Sequence, residues 1–312
     1  MQSLPTFNPK HAVVHDQACE LRSLIARRAS VAAEGSVKGR RCHTIAIAGG
    51  KGGVGKSVLA VNLAIALTKQ GSQVGLFDTS PHLGQVEMLC GISRYWNLSH
   101  VTRGGRRLEQ VVQKGPAGVH ILAGGSGLIQ QDLVTRTQQH SLFASLQSFE
   151  ENLDWLIVDG SGGTLEMVQR LAAAADELLI LSTPEPTAIV EAYATVKSLA
   201  RVAGGRLGVL VNQSDSHLQS QQILDRLQQA SQSFLHLDLH RIGSIARDPH
   251  VVQSVHSRVP LMIQTPTCES AVAIDELAQR WNQTRWSVTG NQFFFRLWSH
   301  SELDRAESFS AT

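Results

Sequence analysis

The sequence predicts an α/β protein: a mostly parallel, twisted sheet in three layers, with helices on both faces. Three observations carry this. From Thr44 onward, short apolar runs of strand composition alternate with longer runs of helical spacing. The first run, Thr44–Ala48 (TIAIA), opens into a glycine-rich segment, Gly49–Ser57 (GGKGGVGKS), which leads into a helical run. Two further apolar runs end in an aspartate, Asp78 and Asp159. In a parallel sheet all three features fall at the carboxyl ends of the strands, where this fold class binds ligands.

The elements follow in order. After the first strand comes the helix Val58–Lys69, then a strand at Gln73–Phe77 that ends at Asp78. Further strands are expected at Val119–Ala123, Leu156–Val158, Glu177–Ser182 and Leu207–Val211, with a short seventh within Leu239–Ile245. Helices are expected between them, among them Leu165–Ala175 and Thr187–Ala200. Two flanks differ in character. Residues 1–41 read as an arm with Pro5, Pro9, one helical patch (Asp16–Arg28) and a basic, small-residue stretch suited to a flexible linker. Residues 281–312 read as a tail holding Trp281, Trp286, Phe293, Phe294, Phe295, Leu297 and Trp298 in a chain otherwise poor in aromatics. The domain proper is thus expected over 42–280.

Composition bounds the function. A chain of 312 residues can hold one large domain with extensions, or two small ones. A net charge of +2 argues for neither nucleic acid nor an acidic substrate, although Arg103, Arg106 and Arg107 form a local cluster. The cysteines, Cys19, Cys42, Cys90 and Cys268, lack metal-type spacing and read as buried or free thiols in a reducing cytosol. The N-terminal stretch lacks the apolar core of a signal peptide, and no apolar run is long enough to span a bilayer. The expected location is cytoplasmic, with any membrane contact peripheral.

The glycine-rich segment satisfies the P-loop pattern G-x-x-x-x-G-K-[ST] at Gly50, Gly55, Lys56 and Ser57. Glycines let backbone N–H groups curl around phosphate oxygens, and the new helix points its positive end at them. Gly50, Lys51, Gly52, Gly53, Val54, Gly55, Lys56, Ser57 and Val58 are therefore the expected nucleotide-binding run. Lys56 would reach the β- and γ-phosphates and the Ser57 hydroxyl would ligate Mg²⁺. Asp159, followed by Gly160, Ser161, Gly162 and Gly163, is placed to hold the shell of the same cation. Its alternative role is the N-cap of the next helix.

Lys51 stands five residues before Lys56, and the run K-G-G-x-G-K-S resembles the deviant Walker A motif of the MinD/ParA group of P-loop ATPases. The resemblance covers roughly residues 42–280. It implies the three-layer P-loop NTPase fold, ATP and Mg²⁺ as ligands, and a sandwich homodimer in which Lys51 reaches the partner's nucleotide. It also implies an adenine contact for Asn212, at the end of the strand LGVLV, and a metal-side role for Asp78. Ser182–Thr187 matches the family turn S-x-P-E-x-x-[AS]. Gly243-Ser244-Ile245 followed by Asp248 is similar to the family's G-x-I-P-x-D segment, with Ala246 in place of the proline.

The segment after the second strand departs from the family. Its second strand ends D-x-D-x-G-x-x-N, and the second aspartate orients the attacking water. Here Asp78 keeps the first place and Ser80 takes the second, while His82 replaces the glycine and Gln85 the asparagine. A serine is uncharged and cannot act as that carboxylate does, so ATP binding with slow hydrolysis is expected. His82 and Glu87 are the remaining candidates for the missing group.

The arm resembles one branch. Asp16-Gln17-Ala18-Cys19-Glu20-Leu21-Arg22 is similar to the D-Q-A-x-x-L-R element of FlhG-type regulators of flagellar number. That resemblance implies an FlhF-type GTPase as partner, met by Asp16, Gln17, Ala18, Leu21 and Arg22. It leaves flagellar basal-body or transcriptional partners open. An ordinary amphipathic helix is the alternative. The run from Pro184 to Tyr193 and the ending around Gly290 to Leu297 fit the same branch. The tail reads either as an amphipathic membrane-targeting helix or as a helix docked on the domain. A catalytically impaired regulatory module and a ParA-type partition ATPase remain as alternative functions. An electron-transferring relative would need cluster-ligating cysteines, whose spacing is absent.

Overall fold

The computed structural model describes residues 42–80, 84–93, 96–124, 135–161, 164–203, 205–284 and 292–299. The arm, with its expected partner residues Asp16, Gln17, Ala18, Leu21 and Arg22, lies outside them, as do Pro81, His82, Gly162, Gly163 and Trp286.

The described chain begins with β1 (His43–Ala48), α1 (Lys56–Lys69) and β2 (Val74–Asp78). Three short helices follow, α2 (Gln85–Leu89), α3 (Leu98–Thr102) and α4 (Leu108–Val111), then β3 (Gln113–Lys114) and β4 (His120–Ala123). Next come α5 (Arg136–Glu151), β5 (Trp155–Asp159), α6 (Leu165–Ala174), β6 (Glu177–Ser182) and α7 (Pro186–Leu199). The remainder is β7 (Arg206–Ser214), α8 (His217–Leu235), β8 (His240–Ala246), α9 (Pro249–Ser257), α10 (Leu261–Gln264), α11 (Glu269–Gln283) and a terminal helix α12 over 293–299.

The eight strands form one sheet in the order β3-β4-β2-β5-β1-β6-β7-β8. All neighbours are parallel except β3 with β4. The two-residue β3 has no signature in the sequence; its pairing to β4 creates it. β1 lies between β5 and β6, at the point where the chain turns from building one half of the sheet to the other. That is where a crevice opens at the strand ends.

The period-2 alternation of the strands sorts the core into two layers. Ile45, Ile47, Leu76, Ile157 and Leu179 point to one face, where they meet α1, α10 and α11. Ala46, Ala48, Phe77, Val158 and Ile180 point to the other, where they meet residues of α5 to α8 and of α12. α1 is buried at every position from Leu59 to Leu67, because α11 covers the side that the sheet does not.

The aromatic tail divides between these layers. Trp281 lies inside α11 and is buried on the α1 face, so a boundary after residue 280 cuts a helix. Phe293, Phe294 and Leu297 of α12 are buried on the opposite face. Phe294 and Phe293 pack edge-on against Phe77, with ring centroids at 5.6 and 6.5 Å. The Glu150 carboxylate accepts hydrogen bonds from the backbone N–H groups of Phe293 (2.9 Å) and Phe294 (3.3 Å), and Arg296 pairs with Asp176 at 2.9 Å. Of the two readings of the tail, the docked helix is the one residues 293–299 adopt: aromatic side chains that suit a bilayer suit a sheet surface equally well.

Candidate nucleotide site

The segment after β1 turns through Gly53 (φ 81°) and Gly55 (φ 97°), both in the left-handed region that favours glycine. Gly50 is required for a different reason: a Cβ there would lie 2.7 Å from the Glu191 carbonyl oxygen. Gly52 and Gly53 face open space, so the loop is lined by backbone rather than side chains. α1 begins at Lys56 with Gly55 as its N-cap; no side chain caps it, and no acid stands in its first turn. The N–H groups at this helix start are left for an anion. Lys56 curls back and donates from Nζ to the Lys51 carbonyl at 2.8 Å. Burial lowers its pKa, against the opposing pull of Asp159 and Glu191. Val54 is buried, and Val58 packs from the first turn of α1 against the same core layer.

The two strand-end aspartates are register partners on adjacent strands, Asp78 of β2 beside Asp159 of β5. Both are buried. Burial pushes Asp78 up to about 6; the Ser80 contacts act against this and the Asp159 charge adds to it. Burial also raises Asp159, against hydrogen bonds from Ser161 and Ser57. Asp159 Oδ1 accepts from the Ser161 backbone N–H (3.0 Å) and from the Ser161 hydroxyl, while Oδ2 is buried with no hydrogen-bond partner among the described residues. A buried carboxylate oxygen left unpaired beside a second acid and a P-loop serine fits a divalent cation, which would supply the missing positive charge. The N-cap alternative for Asp159 is not what is seen, because Thr164 caps α6 by accepting from the Met167 N–H.

Ser57 Oγ lies 3.1 Å from Ser161 Oγ and 3.2 Å from Gln85 Oε1. Ser80 donates from Oγ to the Ser161 carbonyl at 3.0 Å, and its N–H binds Asp78 Oδ1 at 2.8 Å. The hydroxyl at the position of the family carboxylate thus ties two strand-end turns together. Glu87, the other candidate for that role, is buried in α2 with Oε2 unpaired, and burial raises its pKa.

Lys51 bonds within its own chain: Nζ meets the Glu185 carboxylate and the Thr187 hydroxyl (2.8 Å) at the start of α7. Asn212 sits at the loop, with its Nδ2 donating to the Val54 carbonyl at 2.8 Å and its Oδ1 accepting from Gln213 N–H at 2.9 Å. A Cβ on Gly55 would come within 2.4 Å of that amide. The structure therefore assembles Lys51, Lys56, Ser57, Asp78, Ser80, Asp159 and Asn212 at the carboxyl ends of β1, β2, β5 and β7. It adds Ser161, Glu185 and Gln85, which the sequence offered only as small, turn or departure residues.

The profile of the ParA family described as the NUBPL iron-transfer P-loop NTPase matches residues 40–282. The chain belongs to the MinD/ParA family of P-loop NTPases. Members of this type bind a nucleotide and Mg²⁺, and the unpaired Asp159 oxygen and uncapped α1 fit both. The chain is similar to the antiactivator FleN of Pseudomonas aeruginosa, with 33% identity over 250 residues, covering 80% of this chain and 89% of FleN. It is also similar to the flagellum site-determining protein YlxH of Helicobacter pylori, at 28% identity over 75% of this chain and 80% of YlxH. In fold it resembles the MinD cell division protein of Aquifex aeolicus, with a TM-score of 0.62 at 21% identity, over 80% of this chain and 100% of that one. Among the described residues no helix is long and apolar enough to cross a membrane.

Proposed function

We propose that this MinD/ParA-family protein is an FlhG-type regulator of flagellar number and placement. ATP and Mg²⁺ bind at Gly50–Val58, Asp78 and Asp159. Two chains close around two nucleotides, and residues 16–22 present Gln17 to an FlhF-type GTPase. The observation that carries the reading is the pairing of a Lys51-bearing P-loop with similarity to FleN over most of the length of both chains. The bound cation would supply charge neutralisation at the phosphates. The chain's own groups do the rest: loop N–H groups and Lys56 bind, Ser57 and Asp159 orient, and Lys51 leaves Glu185 to serve the partner's site.

Slow hydrolysis belongs to the proposal, because the Ser80 hydroxyl is turned to Ser161 and offers no charge to a water. The apolar face of α12 is spent on the core, so no lipid contact through that face is included. The iron chemistry in the family description is not carried over: Cys19, Cys42, Cys90 and Cys268 lack the sequence spacing of cluster ligands. The test is GTP turnover by the FlhF-type partner with ATP-loaded wild type and with Gln17→Ala. Stimulation by wild type that falls at least tenfold in the variant is expected. A wild-type protein that leaves the GTPase unchanged would overturn the reading.

A further inference from the structure

We propose that Asp248, His250 and Cys268, none of them used by the nucleotide site described above, form a binding site for a divalent transition-metal ion of zinc type. The sequence spacing of Cys268 suggests no such thing; the fold creates it by bringing the N-termini of α9 and α11 together. Asp248 is the N-cap of α9, and His250 stands in that helix's first turn. Cys268 is the N-cap residue of α11, where its side chain caps nothing. One ligand atom from each of the three side chains lies within 4.8 Å of the other two.

The donor set decides the class of ion. Thiolate sulfur, imidazole nitrogen and carboxylate oxygen together suit zinc and its neighbours, whereas Mg²⁺ and Ca²⁺ prefer oxygen alone. A tetrahedral ion with bonds of about 2.0–2.3 Å needs its ligand atoms about 3.3–3.8 Å apart. His250 Nδ1 and Asp248 Oδ1 now share a hydrogen bond at 2.7 Å, so the ion requires them to part by about 0.6 Å. His250 is exposed and can swing that far without repacking the core. The ion replaces the thiol proton, which leaves to solvent, and the imidazole proton that now bridges Nδ1 to Asp248 moves through solvent to Nε2, freeing the Nδ1 lone pair for the ion. One thiolate and one carboxylate then balance a charge of two.

The carboxylate is held for the task. Asp248 is buried, its Oδ1 accepts the His250 backbone N–H at 2.9 Å, and its Oδ2 accepts the Ser270 N–H at 3.1 Å. Ser270 in turn donates from its hydroxyl to the Ala246 carbonyl at 2.9 Å. Support of this kind fixes a ligand's orientation in metal sites. A plain helix cap accounts for Asp248 and His250; it does not account for a thiol from a second helix turned onto the same carboxylate. Once bound, the ion would cross-link the turn after β8 to the start of α11. That turn also touches β7, through the Arg247 N–H bonded to the Ser214 carbonyl at 2.9 Å.

The experiment uses the full chain, stripped of metal and kept reduced with a phosphine, and titrates it with Co²⁺. The expected result is a thiolate-to-cobalt charge-transfer band that saturates at one ion per chain and is displaced by Zn²⁺. Cys268→Ser should lose the band, His250→Gln should weaken cobalt binding at least tenfold, and Cys90→Ser should leave both unchanged. Zn²⁺ should raise the melting temperature of wild type and of Cys90→Ser, and of neither site variant. Absence of the band in folded wild type, or its survival in Cys268→Ser, would sink the proposal. Should Cys268→Ser fail to fold, His250→Gln decides instead, because its side chain is exposed and its loss leaves the core intact. Cobalt binding by that variant as tight as by wild type would equally overturn the site.

Discussion

Two helix starts in this molecule face the same physical demand and meet it in opposite ways. Each leaves backbone N–H groups without intrahelical partners. At α12 the chain fills the need itself: the Glu150 carboxylate, from α5, binds the N–H groups of Phe293 and Phe294. At α1 the chain supplies nothing: Gly55 has no side chain to cap with, and the first turn holds no acid. Both starts suit an anion. One is closed by an internal carboxylate and becomes structure; the other is kept open and becomes a site. A helix terminus is therefore informative about ligands only when the fold withholds its own acid from it.

Changing the charge on either side breaks or sharpens this contrast. The largest effect is expected from adding an acid beside the open start. Ser80→Asp restores the carboxylate that the family uses on water, and single-turnover ATP hydrolysis should rise by about 10²–10⁴-fold. A rate unchanged from wild type would show that Ser80 is not what limits hydrolysis. The closed start is tested by removing the packing that docks its helix. Phe294→Ala deletes a fully buried ring packed on Phe77 and should cost about 3–5 kcal/mol of stability, read by denaturant unfolding. A loss near zero would mean that α12 is undocked in solution. Lys56→Ala removes the cation of the open start. It should weaken nucleotide binding about 100-fold by calorimetry without loss of stability, since burial already disfavours that ammonium.

The smallest effect is a pH dependence at Glu150. Burial raises its pKa from 4.5 to about 7, against the pull of the two N–H groups and Arg296. The folded protein thus holds this proton more tightly than the unfolded chain. The stability it contributes is full below about pH 4.5, declines as pH rises, and is lost above about pH 7. Glu150→Gln should flatten the wild-type slope between those values, by no more than about 3 kcal/mol in total. Because Asp78 and Asp159 titrate in the same direction, the difference between the two proteins is the quantity to read.

Much of the fold was legible because its signals are local. Alternating Ile and Ala in TIAIA, an aspartate closing each of two buried strands, and a glycine spacing that only a phosphate loop needs are all read within ten residues. What was not legible depends on contacts across the chain. Glu185 holds Lys51 from 134 positions away, and Ser161 reaches Ser57 across 104. Residues 293–299 have a composition that serves a bilayer or a core equally, and contacts with Phe77, Glu150 and Asp176, far off in the sequence, decide between them. Cys268 looked solitary for the same reason, since Asp248 and His250 approach it only through the turn after β8.

The ion pair between Lys51 and Glu185 has a consequence for reversibility. On the function proposed here, assembly is an exchange: each chain surrenders an internal contact and receives an external one of similar kind. Exchanges of like for like leave little net free energy behind, so small changes at the nucleotide can tip them either way. On that reading, a lysine that is never idle would make the dimer easy to dissolve.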